Sequence, residues 1–486
     1  MKTKSLGVNA VINVFRNMVN IIFPLVTFPY ASRVLGVNSI GVYNFSYSIC
    51  NYFLLIAALG INTYAVREGA RYRTDDKKLS QFASEIFSIN IISTIATYII
   101  MIIILINCSN LEKYVVTIFV FSIQIVFTTI GVEWLFTIRE EFSYITIVNI
   151  IFKILSIFLL FIFVRNRNDY VQYAAVTVFA IAGSNIFNML YMKKHIKYKW
   201  TVHMNIKKHI FPIFIIFSSN IAVAIYVNID VTMLGFMCND YSVGIYSVAV
   251  KIYNVIKNVL AAFLIVYIPR LSALLGENKT KEFKLLADKV FDIVTMFLVP
   301  TVFGIIIFSR EIVLIVGGQE YESAKTGLKI LALALFFSIF SWLFSQCILI
   351  PLKLEKKVLK ATTMSAVINI ILNFFLIPIW KENAAALTTV ISEMISVMIC
   401  GYYAIDYFHK KHIFKNISKV MCAATFMTLS VCLLKKNINS ITVSLICGGI
   451  VGTVVFFVSL KIMKYTSVEE FIYKLRYRLK VERRKI

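Results

Sequence analysis

Six basic side chains, Arg16, Lys153, Lys251, Lys257, Lys325 and Lys329, stand inside long apolar runs. A charge near the centre of a membrane-spanning helix costs roughly 2.5–3.5 kcal/mol, so each needs a partner, a water-filled cavity or a route to the interface. Lys325 and Lys329 lie near the end of their run and can snorkel to the surface. Arg16 instead shares a helix face with Asn9, Asn13 and Asn20, because residues three and four apart line one side of a helix. The device recurs with Thr146, Asn149, Lys153 and Ser156, and again with Ser247, Lys251, Asn254 and Asn258; Lys257 sits off that last stripe. An uncharged stripe runs through Thr362, Ser365, Asn369 and Asn373. One account is hydrogen bonding between helices, worth about 0.6 kcal/mol per bond. The other is a hydrated, cationic cavity between two helical lobes. Fixed positive charges in a low-dielectric cleft favour phosphate or pyrophosphate, with Arg binding as a fork and Lys as a point charge. The cargo expected from that chemistry is anionic.

Acids inside the apolar runs are fewer: Glu133, Asp230 and Glu393. Desolvation favours the neutral carboxyl, so Asp230 and Glu393 are candidates for coupling transport to H+ or Na+; neutralising a nearby lysine is the alternative. Glu133, beside Trp134, is a third coupling candidate or an interfacial anchor. Other chemistry is missing. His195, His203, His209, His409 and His412 all fall in basic stretches and are expected as solvated loop residues without the acidic or thiol partners of a zinc site. The eight cysteines contain no CxxC and read as small hydrophobes. No GxxxxGK[ST], HExxH or GxSxG occurs, so neither nucleotide-driven work nor hydrolysis has a local signature. No catalytic residue, metal or cofactor is expected.

The elements that must hold these residues follow from composition. Of 486 residues, 59% are apolar and only 15% charged, against about 25% charged in soluble domains, and the mean hydropathy is +0.80. That excludes a soluble enzyme, a disordered chain and a nucleic-acid module. A spanning helix takes roughly 20 apolar residues, and the runs predict an all-α membrane protein of fourteen spans. The first seven lie near 8–32, 40–66, 85–107, 114–136, 144–164, 170–192 and 210–236. The second seven lie near 243–268, 290–308, 325–351, 361–378, 384–408, 420–434 and 441–463. With this threading, 36 of the 50 Lys and Arg fall on one side and 8 on the other. A bias of that size places the rich side, with both termini, in the cytoplasm. It also accounts for the formal charge of +25 without nucleic acid, and the basic tail can touch anionic headgroups. The opening MKTK before an apolar stretch reads as a retained signal anchor.

Leu35-Gly36 and Ile40-Gly41-Val42-Tyr43 recur as Leu234-Gly235 and Val243-Gly244-Ile245-Tyr246, and Arg67 and Arg270 follow Gly41 and Gly244 at the same spacing. This predicts two parallel six-helix lobes plus two added helices, an arrangement suited to rocking one bundle against another. The boundaries expected are 1–192 for the first lobe, 193–209 for a basic cytoplasmic linker, 210–408 for the second lobe, 420–463 for the last two helices and 464–486 for a basic tail. Pro24 and Pro29 mark a bending point in the first span.

Residues 23–49, FPLVTFPYASRVLGVNSIGVYNFSYSI, residues 131–157, and the segments IYVNIDVTMLG, VGIYSVAVKIYNV and IPRLS within 225–272 resemble the Wzx-type polysaccharide flippases. Their superfamily, MOP, also holds multidrug extruders of the MATE type and flippases of lipid-linked peptidoglycan precursors. The resemblance implies a MATE-like fold, a central cationic cavity and alternating access that carries an undecaprenyl-pyrophosphate-linked oligosaccharide repeat unit outward. Membrane lipids are then partners, as are a polysaccharide polymerase and export proteins. Where similar proteins carry Asp-Trp, this chain has Glu133-Trp134.

The expectation is therefore a flippase of the plasma (inner) membrane that is not an enzyme. Arg16, Lys153 and Lys251, with Lys257, would contact phosphate or acidic sugar. Arg33 would guide release at the outer mouth, and Arg67 and Arg270 would guide uptake at the inner one. A drug or metabolite extruder is the alternative within the same architecture, although its cavity should be acidic or aromatic. A membrane glycan polymerase or ligase is a third, disfavoured by the short outer loops.

Overall fold

The computed structural model describes residues 6–469 apart from 203, 439 and 467, and for residues 6–17, 21, 219, 222 and 410 the backbone alone. Long apolar runs become helices because only a helix satisfies all its backbone hydrogen bonds within one segment when no water is present. Among the described residues sixteen α-helices follow in order: α1 Leu6–Ala58, α2 Ile61–Gly69, α3 Asp76–Asn107, α4 Val115–Gly131, α5 Glu133–Arg139, α6 Phe142–Phe163, α7 Tyr170–Ala182 and α8 Ser184–His195. The remainder are α9 Ile206–Met237, α10 Asp240–Ile265, α11 Ile268–Gly276, α12 Thr280–Val316, α13 Ala324–Trp342, α14 Glu355–Ala404, α15 Lys410–Lys435 and α16 Ile441–Ile462. Local chemistry sets several ends. Asp75 caps α3 by accepting from the backbone of Lys77 and Lys78, and Asn205 caps α9 by accepting from Lys208, each satisfying amides a helix start leaves open.

Among the described residues, eleven helical segments are long and apolar enough to cross a membrane, or twelve if the bent pair Ile206–Ser218 and Val223–Met237 is one span. Fourteen spans are expected from the apolar runs, and the difference lies in two helices that contain two expected spans each. In α14, Thr388 donates to Asn373 Oδ1 at 2.5 Å. Fifteen residues of straight helix would put them about 22 Å apart, so α14 folds back between them, and the non-helical residue there is Lys381 (φ 49°).

α1 does the same at Gly36 (φ 71°, ψ 177°), a conformation glycine adopts without Cβ strain. α6 runs antiparallel to α7 and the start of α8, since the Phe152 ring centroid lies 4.9 Å from that of Phe179 and Ser184 donates to Asn149. Asn20 and Tyr30 pair in ascending order with Lys153 and Val164 on and just past α6, whereas Ser39 and Tyr43 pair in ascending order with Arg167 and Thr177, before and on α7. The halves of α1 therefore oppose each other, with the reversal at Gly36 and with Pro24 and Pro29 inside the helix of the first half.

The chain forms two compact units, 1–247 and 248–486, with the division falling inside α10. α9 belongs to the first unit because its side chains bind there: Asn228 to Asn51, Thr232 to Ser48 and Tyr52. The first unit's core gathers Tyr64, Phe82, Ile86, Trp134 and Phe136. The second unit has a core of Met296, Phe308, Val420, Met427 and Phe456. Within the first unit the two repeat motifs meet reciprocally. A Cβ on Gly41 would lie 1.9 Å from the carbonyl oxygen of Asp240, four residues before Gly244, and a Cβ on Gly244 would lie 2.2 Å from that of Val37, four residues before Gly41. Only glycine permits backbone contact this close.

Candidate functional site

The stripes read from the sequence are brought together in part. Lys153 on α6 donates to Asn20 Oδ1 on α1, and its ammonium stands 5.6 Å from the Phe23 ring centroid. The stripe of the first expected span thus faces that of the fifth. The side chains of Asn9, Asn13 and Arg16 lie outside the described residues. On α10, Lys251 is half-buried. Lys257, two turns on, donates to Glu393 Oε1 of α14 at 3.0 Å and to the Tyr253 hydroxyl at 3.2 Å. Glu393 is 5% exposed, so a charge held there is kept by its partner rather than by solvent. Asp230 of α9 is buried and accepts from the Tyr246 hydroxyl at 2.7 Å. Glu133 opens α5 and is half-buried.

The three arginines expected at the mouths are exposed. Arg33 donates to the carbonyl of Pro29 at 2.6 Å, Arg67 pairs with Glu68 at 3.3 Å, and Arg270 lies in α11. The uncharged stripe has a structural use: Asn373, Asn369 and Thr388 hydrogen-bond one another across the α14 hairpin. Lys325 pairs with Glu322 at 3.1 Å, beside Arg310, whose hydrogen bond at 2.8 Å holds the Glu322 carboxyl below its ordinary range with Lys325 adding to the effect. In the same way Arg73, bonded to Glu140 at 2.6 Å, keeps that carboxyl low.

His209 is not a solvated loop residue: it is fully buried in α9, with Nε2 2.8 Å from Glu85 Oε2 and Nδ1 2.7 Å from the Tyr64 hydroxyl. In the second unit His409 Nδ1 lies 2.5 Å from Asp288, and His412 Nε2 lies 2.8 Å from Asp292, which also accepts from Asn416. The signal was available in part, because Asp288 and Asp292 share a face of α12 at one end of an apolar run. Their partners, more than a hundred residues away, carry no local mark. No group of three or more His, Cys, Asp or Glu among the described residues could hold a metal ion.

Known proteins resemble this chain along most of its length. The sequence profile described as "Polysaccharide biosynthesis protein" matches residues 6–275, and the MatE profile matches 215–375. A protein of Escherichia coli (strain K12) named as an O-antigen transporter is 26% identical over 384 residues, covering 77% of this chain and 90% of its own length. One of the same name from Shigella dysenteriae is 23% identical over 390 residues, covering 78% of this chain and 95% of its own. Among solved structures, the lipid II flippase MurJ in an inward closed conformation aligns with a TM-score of 0.77 at 16% identity, over 94% of this chain and 98% of that one. The fold is therefore that of a MATE-like, all-α, multi-pass membrane protein.

Proposed function

Because the chain belongs to the polysaccharide biosynthesis protein family, we propose that it is a flippase for surface polysaccharide biosynthesis. It moves an undecaprenyl-pyrophosphate-linked oligosaccharide repeat unit from the cytoplasmic to the outer leaflet by alternating access. The observation that carries this reading is the alignment of two proteins named O-antigen transporter over 90% and 95% of their own lengths. Physical need agrees with it. Sugar hydroxyls and a charged pyrophosphate cannot cross hydrocarbon without losing their hydrogen bonds, at several kcal/mol per group, so they require a polar path while the lipid tail stays in the bilayer. Nothing covalent changes, so the reading asks for no catalytic residue. The protein works in the plasma (inner) membrane with both termini in the cytoplasm.

Arg16, Lys153 and Lys251 hold the phosphate or an acidic sugar, with Arg33, Arg67 and Arg270 guiding release and uptake. Lys257 is shared: an arriving anion competes with Glu393 for it, and the carboxylate set free is a place for H+ or Na+ to couple to transport. Asp230 and Glu133 are the other coupling candidates, and a polysaccharide polymerase and export proteins receive the product.

The test is complementation in cells whose chromosomal copy is deleted. Arg16→Ala and Lys153→Ala should each reduce surface polysaccharide at least tenfold, at normal protein levels, while Lys329→Ala leaves it unchanged. Full export by both first variants removes those residues from the path. Restored resistance to cationic dyes without restored polysaccharide makes the protein an extruder instead.

A further inference from the structure

Within the first unit a cavity of about 220 Å³ is lined by Asn62, Asn90, Thr129, Glu133, Trp134 and Asn185, with apolar residues of α1 and α2 completing the wall. Its residues come from α1, α2, α3, α4, α5 and α8, and of them Asn62 and Thr128 are exposed. The Oδ1 atom of Asn90, a residue 8% exposed, accepts no hydrogen bond from any described residue. A buried acceptor left open is costly and asks for a donor. The wall is also built under strain. Val132, between α4 and α5, is β-branched yet lies in the left-handed region (φ 41°, ψ 43°), where such residues are outliers. Gly131 beside it is packed on Asn185, whose Cγ would be 2.5 Å from an added Cβ. Together the break and the glycine turn Glu133 and Trp134 toward the cavity lining and admit the Asn185 amide. Strained backbone that persists this way clusters at ligand clamps.

The lining selects the ligand. The volume is more than ten times the roughly 10–15 Å³ that a single water needs, which is too large for one bare cation. It is below the roughly 300 Å³ where drug-sized sites begin. Glu133 in the wall disfavours phosphate. Amides, hydroxyls and one carboxylate beside an indole and an apolar wall fit a neutral group with many hydroxyls around an apolar ring face.

We infer that this cavity is a subsite for a single neutral sugar ring of the cargo, with Asn90 Oδ1 accepting a ring hydroxyl and Asn62, Asn185 and Glu133 fixing its other hydroxyls. The inference rests on the proposed flippase reading for the source of the sugar, and it separates the recognition of glycan from that of phosphate, which belongs to Lys153 and its companions.

The test uses the full chain in lipid nanodiscs with Trp200→Phe, Trp342→Phe and Trp380→Phe, leaving Trp134 as the sole indole. D-glucose, D-galactose, N-acetyl-D-glucosamine and L-rhamnose are titrated, and sodium chloride is compared with choline chloride. At least one sugar should shift the Trp134 emission saturably, and Asn90→Leu and Asn62→Ala should each weaken the apparent affinity about tenfold. Asn62 is exposed, so Asn62→Ala reports on binding even where Asn90→Leu fails to fold. Absence of a saturable sugar response, a response unaltered by Asn62→Ala, or a saturable shift with sodium alone overturns the inference. Export assays judge the flippase reading separately: loss of export in Lys153→Ala without sugar binding sinks only the subsite, and sugar binding with full export in Arg16→Ala and Lys153→Ala sinks only the proposed phosphate path.

Discussion

Lys257 and Glu393 show how a membrane interior tolerates charge. Each sits in an apolar run, and each is costly alone; joined at 3.0 Å with Tyr253 beside them, they share a hydrogen bond that neither finds in lipid. Removing one partner of a buried pair typically costs about 3–5 kcal/mol because the other charge is left uncompensated, whereas removing both can be nearly neutral. We therefore expect Glu393→Gln or Lys257→Met to lower the thermal midpoint of the purified protein clearly, and the double variant to recover at least half of the loss. Equal and additive losses would show that the two do not act as a pair. The sequence revealed both residues, but it could not choose between a free carboxylate and one engaged by a lysine.

At the scale of elements, the contacts of Gly41 and Gly244 explain why glycine opens both repeat-related segments. A side chain at either place would meet a backbone carbonyl that cannot move aside without shifting a helix. Overpacking of this kind costs about 1–3 kcal/mol. Gly41→Ala and Gly244→Ala should each reduce the yield and melting temperature of folded protein, while Gly276→Ala, whose added carbon meets nothing within 4 Å, leaves both unchanged. A neutral Gly41→Ala would mean that the two helix starts do not touch in the working protein. The hairpins at Gly36 and Lys381 belong to this scale as well. The apolar runs located the four expected spans in α1 and α14, yet the reversals are each marked by one residue of unusual backbone geometry, which hydropathy does not register.

For the whole molecule, the distribution of Lys and Arg makes the prediction. Segments rich in them resist translocation, so 193–209 should face the cytoplasm and the 164–169 link the exterior. In a variant whose eight cysteines are replaced by alanine, Arg167→Cys should react with an impermeant maleimide in intact cells, and Lys199→Cys only after the membrane is opened. The opposite pattern would invert the orientation and with it the assigned direction of transport.

An all-helical membrane protein, the positions of its apolar runs and the polar faces of those runs are legible without any structure. All of that is encoded in composition and in a helical period, quantities carried by neighbouring residues. The tertiary structure alone decided who meets whom: Lys153 with Asn20, His209 with Glu85 and Tyr64, and an open Asn90 acceptor in a cavity built from six helices. The three pairs join residues 124 to 145 positions apart, and the cavity needs several elements at once. Their free energy depends on packing and on the low dielectric around them, neither of which has a trace in local sequence.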